Sequence, residues 1–144
     1  RLLRLKAAGP LESILIIDDE EEDRTRLRGI LRELGHFRIV ESETGADGLR
    51  RVQYQNFNVI FLDLALPDAT GFEVLDRLKS DATSRDIPVI ITTAIPLEGD
   101  ERDRLQQTTA IVSRSVSERD KVFAKVRDAL IKAGLSTVGA ARES

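Results

Sequence analysis

Short, wholly apolar runs alternate along this chain with longer stretches whose apolar residues fall at helical spacing, a pattern that predicts a parallel sheet with helices on its faces. Ser13 to Ile17 reads as a buried first strand. An acidic stretch follows, and Leu27, Ile30, Leu31 and Leu34 then mark one face of a helix that Gly35 ends. Phe37 to Val40 fits a second strand, and Ala46 to Tyr54 a second helix with Ala46, Leu49 and Val52 or Gln53 along its inner edge. Val59 to Leu62 has the composition of an interior strand and runs into Asp63, Pro67 and Gly71 before a helix containing Phe72, Leu75 and Leu78. Pro88 opens another apolar strand, Val89 to Ile91, which ends in Thr92 and Thr93.

The pattern weakens between Pro96 and Thr109, where Leu97 and Leu105 are the large apolar residues and Gly99 interrupts, so a short or mobile fourth helix is expected there. Ile111 and Val112 make a brief fifth strand. Val122, Phe123, Val126 and Leu130 form one face of a last helix ending near Gly134. Five βα units then account for the core, giving an α/β fold with a doubly wound, five-stranded parallel sheet. The expected divisions are a linker or the end of an upstream helix at 1–12, the domain at 13–134, and a loose tail at 135–144.

Composition narrows the chemistry. A chain of 144 residues with 41% hydrophobic content suits one buried core. With no Cys there are no disulfides, thiol nucleophiles or thiolate sites, and His36 alone cannot build a zinc site, so any metal must be held mainly by oxygen. A net charge of -3 gives no reason to expect nucleic acid or an anionic membrane as partner. Ile14 to Ile17 and Val59 to Leu62 are too short to cross a bilayer, and a cytoplasmic location is expected. The sequence has no Met and begins at Arg1, which reads as a segment of a longer polypeptide.

Three carboxylates fall where a doubly wound sheet gathers its functional groups, at the carboxyl ends of strands. Asp18 and Asp19 end the first strand and Asp63 ends the third. Bringing them together costs on the order of 4 kcal/mol per close pair at an effective dielectric of about 20. A divalent cation offsets that cost, and an all-oxygen set suits Mg2+. Asp18 and Asp19 could instead cap the first helix beside Glu20, Glu21, Glu22 and Asp23. That leaves Asp63 unexplained. Thr93, at another strand end, can donate to a phosphoryl oxygen or be an ordinary strand-end hydroxyl.

Ile-Leu-Ile-Ile-Asp18-Asp19-Glu20, then Val-Ile-Phe-Leu-Asp63-Leu-Ala-Leu-Pro67 with Gly71, then Pro88-Val-Ile-Ile-Thr-Thr93-Ala94, resembles the receiver domain of two-component response regulators, in order from about Ile14 to Ala133. The resemblance implies a flavodoxin-like (βα)5 fold and a phosphorelay role, with Asp63 accepting a phosphoryl group from a phosphohistidine on a histidine kinase or histidine phosphotransfer protein. It also implies that Asp19, Asp63 and the backbone carbonyl of Ala65 bind Mg2+ directly, that Asp18 acts through water, and that Thr93 moves toward the phosphoryl group. His36 is not expected to be the donor, because it starts the second strand away from the acidic end.

The resemblance is imperfect on one side. Ala110-Ile111-Val112-Ser113-Arg114-Ser115 places Arg114 and Ser115 where receivers usually carry Lys and Pro, and Ile111 where many carry an aromatic. Arg keeps the charge but is longer, planar and bidentate, and Arg114 could equally pair with one of the acids, the two readings not being exclusive. A trans bond before Ser115 is expected, since a cis bond there would cost roughly 2.5 to 4 kcal/mol. Ala65 and Ile95, both apolar, flank the expected approach of water and imply slow loss of the phosphoryl group.

The Ser113-Arg114-Ser115-Val116-Ser117 ending looks like receivers attached to hybrid sensor histidine kinases, and dimerisation through the last two βα units follows by analogy. A pseudo-receiver, acting as a constitutive protein-interaction module, is the alternative. A phosphatase of the haloacid dehalogenase type would need an acid at the position of Ala65, and no Gly-rich phosphate loop follows the first strand.

Overall fold

Strands that are apolar at every position need cover on both faces. The computed structural model, which describes residues 11–94, 96–114 and 119–137, supplies it. Its elements alternate as β1 (Glu12–Ile17), α1 (Glu21–Leu34), β2 (Phe37–Ser42), α2 (Gly45–Tyr54), β3 (Val59–Asp63), α3 (Gly71–Ser80), β4 (Val89–Thr93), α4 (Gly99–Arg104), β5 (Ala110–Ser113) and α5 (Arg119–Lys132). The strands form one parallel sheet in the order β2-β1-β3-β4-β5. This is the doubly wound α/β architecture expected from the alternation.

Side-chain alternation divides the core into two layers. Ile14, Ile16, Val59, Phe61, Ile90 and Val112 pack on one face against Ile30, Leu31 and Leu34 of α1 and Val126, Ala129 and Leu130 of α5. Leu15, Ile17, Ile60, Leu62, Val89 and Ile91 pack on the other against Val52 of α2, Val74, Leu75 and Leu78 of α3, and Leu105. Each fully buried side chain of this kind contributes roughly 1.5–3 kcal/mol. The strand order reverses between β1 and β3, so the loops leaving their carboxyl ends diverge and open a crevice.

Several boundaries differ from the sequence expectation. Strand β1 already begins at Glu12, and β2 continues to Ser42 because the Asp18 N–H, just past β1, donates to the Ser42 carbonyl at 3.0 Å. At the other end, Leu135 and Thr137 are buried, so packing continues past Gly134 into what reads as a tail. The stretches 1–10 and 138–144, and Ile95, Ser115, Val116 and Ser117, lie outside the described residues. Among the described residues, no helix is long and apolar enough to cross a membrane.

Candidate functional site

The crevice between β1 and β3 receives its acids from two fixed backbones. Asp18 follows β1 directly, and its Oδ1 accepts the Glu20 N–H at 2.9 Å. The N-cap position of α1 is Glu20, whose side chain makes no capping bond, so neither Asp18 nor Asp19 stands as the N-cap residue. Buried Arg24 clamps the turn instead. Its Nη1 donates to the Asp18 carbonyl at 2.8 Å, while Nε and Nη2 donate to Glu41 at 3.0 Å and Glu43 at 3.3 Å, tying the acidic turn to the end of β2.

Asp63 closes β3, only 4% exposed, with Oδ1 accepting the Ala65 N–H at 3.3 Å. The following loop folds back tightly. The Gly71 N–H donates to the Leu64 carbonyl at 2.9 Å, and a Cβ on Gly71 would meet the Asp63 carbonyl oxygen at 2.5 Å. That neighbour is backbone and cannot rotate away, so only glycine allows this approach. Asp68, from the same loop, accepts the Gly45 and Ala46 N–H groups at 2.9 Å each and pins the loop to the start of α2. Those two bonds hold the Asp68 carboxyl below the usual carboxylate range.

Asp18, Asp19 and Asp63 each bring a carboxylate oxygen within 4.8 Å of the others. Octahedral Mg2+ takes oxygens at about 2.0–2.1 Å, so opposite ligands stand about 4 Å apart. The donor set and its spacing fit a divalent cation of that size. Burial, then the Asp18 charge, push the Asp63 carboxyl up to about 6. Burial likewise raises Asp18, against the downward pull of the Glu20 N–H and Arg114.

Arg114 crosses to this cluster from the end of β5, where its N–H donates to the Thr93 carbonyl at 2.7 Å. Its Nη1 donates to Asp18 Oδ2 at 2.9 Å and to Asp23 Oδ2 at 2.8 Å, whereas Nη2 reaches Asp63 Oδ1 only at 3.5 Å. Its Nε is buried with no hydrogen-bond partner among the described residues. The guanidinium therefore leans toward α1 more than toward Asp63. Thr93 is buried at the end of β4, the strand beside β3.

The sequence of residues 14–117 matches the model of the response regulator receiver domain. The chain belongs to the receiver domain family. Among the receiver's relatives, the polar-differentiation response regulator DivK of Brucella ovis is 31% identical over 108 residues, covering 74% of this chain and 86% of DivK. Protein PilH of Pseudomonas aeruginosa is 33% identical over 88 residues, covering 61% of this chain and 72% of PilH. A crystal structure of the Mn2+-bound form of response regulator Rcp1 shares the fold at a TM-score of 0.70 and 22% identity, covering 83% of this chain and 91% of that one.

The receiver thus gathers Asp18, Asp19, Asp63 and Arg114 at one crevice, with Ala65 exposed at its rim and Thr93 on the adjoining strand. His36 is exposed at the opposite end of the sheet, before β2. Sequence reasoning passed over two residues that the site uses. Arg24 gave no signal beyond a charge in a helix, and Asp23 read as one more acid at a helix start; its pairing with Arg114 spans 91 positions in sequence.

Proposed function

We propose that this receiver accepts a phosphoryl group on Asp63 from a phosphohistidine of a histidine kinase or histidine phosphotransfer protein, with Mg2+ held directly by Asp19, Asp63 and the carbonyl of Ala65 and through water by Asp18. The observation that carries this reading is the convergence of three carboxylates from two strand ends, two of them, Asp18 and Asp63, buried. An Asp63 carboxylate oxygen bonds to phosphorus as the bond from phosphorus to the histidine nitrogen breaks, its electron pair leaving on the imidazole. Mg2+, when bound, neutralises the phosphoryl oxygens, a step that needs positioning and charge more than covalent help from the protein. Rcp1, which shares the fold, has a Mn2+-bound form, in keeping with a divalent cation here. Thr93 is read as the hydroxyl that turns to the phosphoryl group, and Arg114 as its positive partner. Attachment to a hybrid sensor kinase and dimerisation through the last βα units belong to the same reading.

Incubation with Mg2+ and acetyl phosphate, followed by intact mass measurement, tests it. The expected result is a gain of one phosphoryl group, abolished by Asp63→Asn and by chelation. No gain with acetyl phosphate, phosphoramidate or a phosphorylated kinase would favour the pseudo-receiver. One observation leans that way: Arg114 already makes its two shorter bonds to Asp18 and Asp23, partly neutralising the pocket without a metal.

A further inference from the structure

Arg114 Nη1 is shared between two carboxylates with different duties. Asp18 belongs to the cation cluster, whereas Asp23, in the first turn of α1, lies outside it. A cation drawing on Asp18 competes with the guanidinium for that carboxylate and repels it. Among the described residues, an arginine released from Asp18 has poor alternatives: Nε is buried without a partner, and Nη2 reaches Asp63 only at 3.5 Å. The bond to Asp23 Oδ2, at 2.8 Å, is the shortest the guanidinium makes among the described residues and does not involve the cluster. Asp23 Oδ1 is in turn held by Arg26 Nη1 at 3.3 Å.

We propose that Asp23 is a positioning residue for Arg114. It keeps the guanidinium paired when Asp18 is given over to a divalent cation, so that metal and Arg114 occupy the site together. This deepens the reading of the acidic cluster as a metal site and rests on it. The physical content is a coupling: the Asp23–Arg114 bond is one of two short bonds in the metal-free site and the principal one in the loaded site. Asp23 therefore favours loading beyond its through-space attraction for the cation, and does so only where Arg114 is present.

A double-mutant cycle on Mg2+ affinity, measured by titration calorimetry near neutral pH, tests the coupling. Wild type, Asp23→Asn, Arg114→Gln and the double variant are compared, with thermal melts showing that each is folded. Asp23→Asn weakens Mg2+ binding in both backgrounds by removing a charge. The expected loss is at least about threefold greater with Arg114 than in the Arg114→Gln background, a difference within the usual range for residues in contact. Asp23→Glu restores the carboxylate and is expected to recover most of the affinity, as loss of shape alone would not. Equal losses in the two backgrounds, with wild type binding Mg2+, overturn the role of Asp23 and leave the metal site standing. No Mg2+ binding by wild type overturns both.

Discussion

At the scale of single residues, the Asp63 carboxyl is the most constrained group, and its constraint has a thermodynamic sign. Burial and Asp18 raise it to about 6 in the folded chain, above an unfolded value of about 3.9. Between those values the folded chain keeps a proton that the unfolded chain has released, so stability falls as pH rises and the penalty is complete above about 6. Asp63→Asn removes the ionisable group. In metal-free urea titrations it is expected to exceed wild type by about 1–3 kcal/mol near pH 7.5, with the gap closing toward pH 4. Added Mg2+ should narrow the gap by stabilising wild type alone. A gap independent of pH would show that the carboxylate is not strained by its neighbours. The position of this acid was legible because an all-apolar strand ending in Asp leaves a charge with no solvation reason to be there. That Arg114 pairs with an acid was legible, but its choice of Asp18 and Asp23 was not, because a flexible side chain chooses among carboxylates that only the fold brings near.

Elements were legible in proportion to what they bury. Strands β1, β3 and β4 are buried along most or all of their length, and their apolar runs announced them. Helix α4 buries none of its six residues, so no periodic stripe exists to be read. It is held by a Glu98–Glu101 capping box and by Arg104, whose guanidinium lies 4.1 Å from the Phe72 ring centre. Gly99, which reads as an interruption, is its first residue. In α1 the situation is reversed: the stripe placed the helix, but Gly29 stands in its interior with open space where a Cβ would lie. Glycine there costs backbone entropy without serving a close approach. Gly29→Ala is expected to stabilise the chain by about 0.5–1 kcal/mol in denaturant unfolding at unchanged slope. A destabilised variant would mean that the exposed face of α1 is less open than its geometry indicates.

For the whole molecule, the question is where the packed unit closes. The core face covered by α1 ends on α5, and reading that helix to Gly134 stops the domain at a glycine, a sound rule for a helix but not for a core. Gly134 adopts a φ of 95°, its N–H donates to the Ile131 carbonyl at 3.0 Å, and the Leu135 N–H donates to the Leu130 carbonyl at 3.0 Å. This pair of bonds turns the chain so that the residue after the glycine meets the helix's last buried turn. Leu135 is accordingly 5% exposed and joins the layer formed by α1 and α5, which also carries Leu130 and Val126. The same layer holds Ile30, Leu31 and Leu34 of α1, the helix whose first turns carry Asp23 and Arg24. Leu135→Ala is expected to cost about 2–4 kcal/mol, the range for emptying a buried leucine position. Ile131→Ala, on the exposed side of the same turn, should change stability by no more than about 0.5 kcal/mol. Equal costs for the two variants would place Leu135 outside the core and return the domain boundary to Gly134.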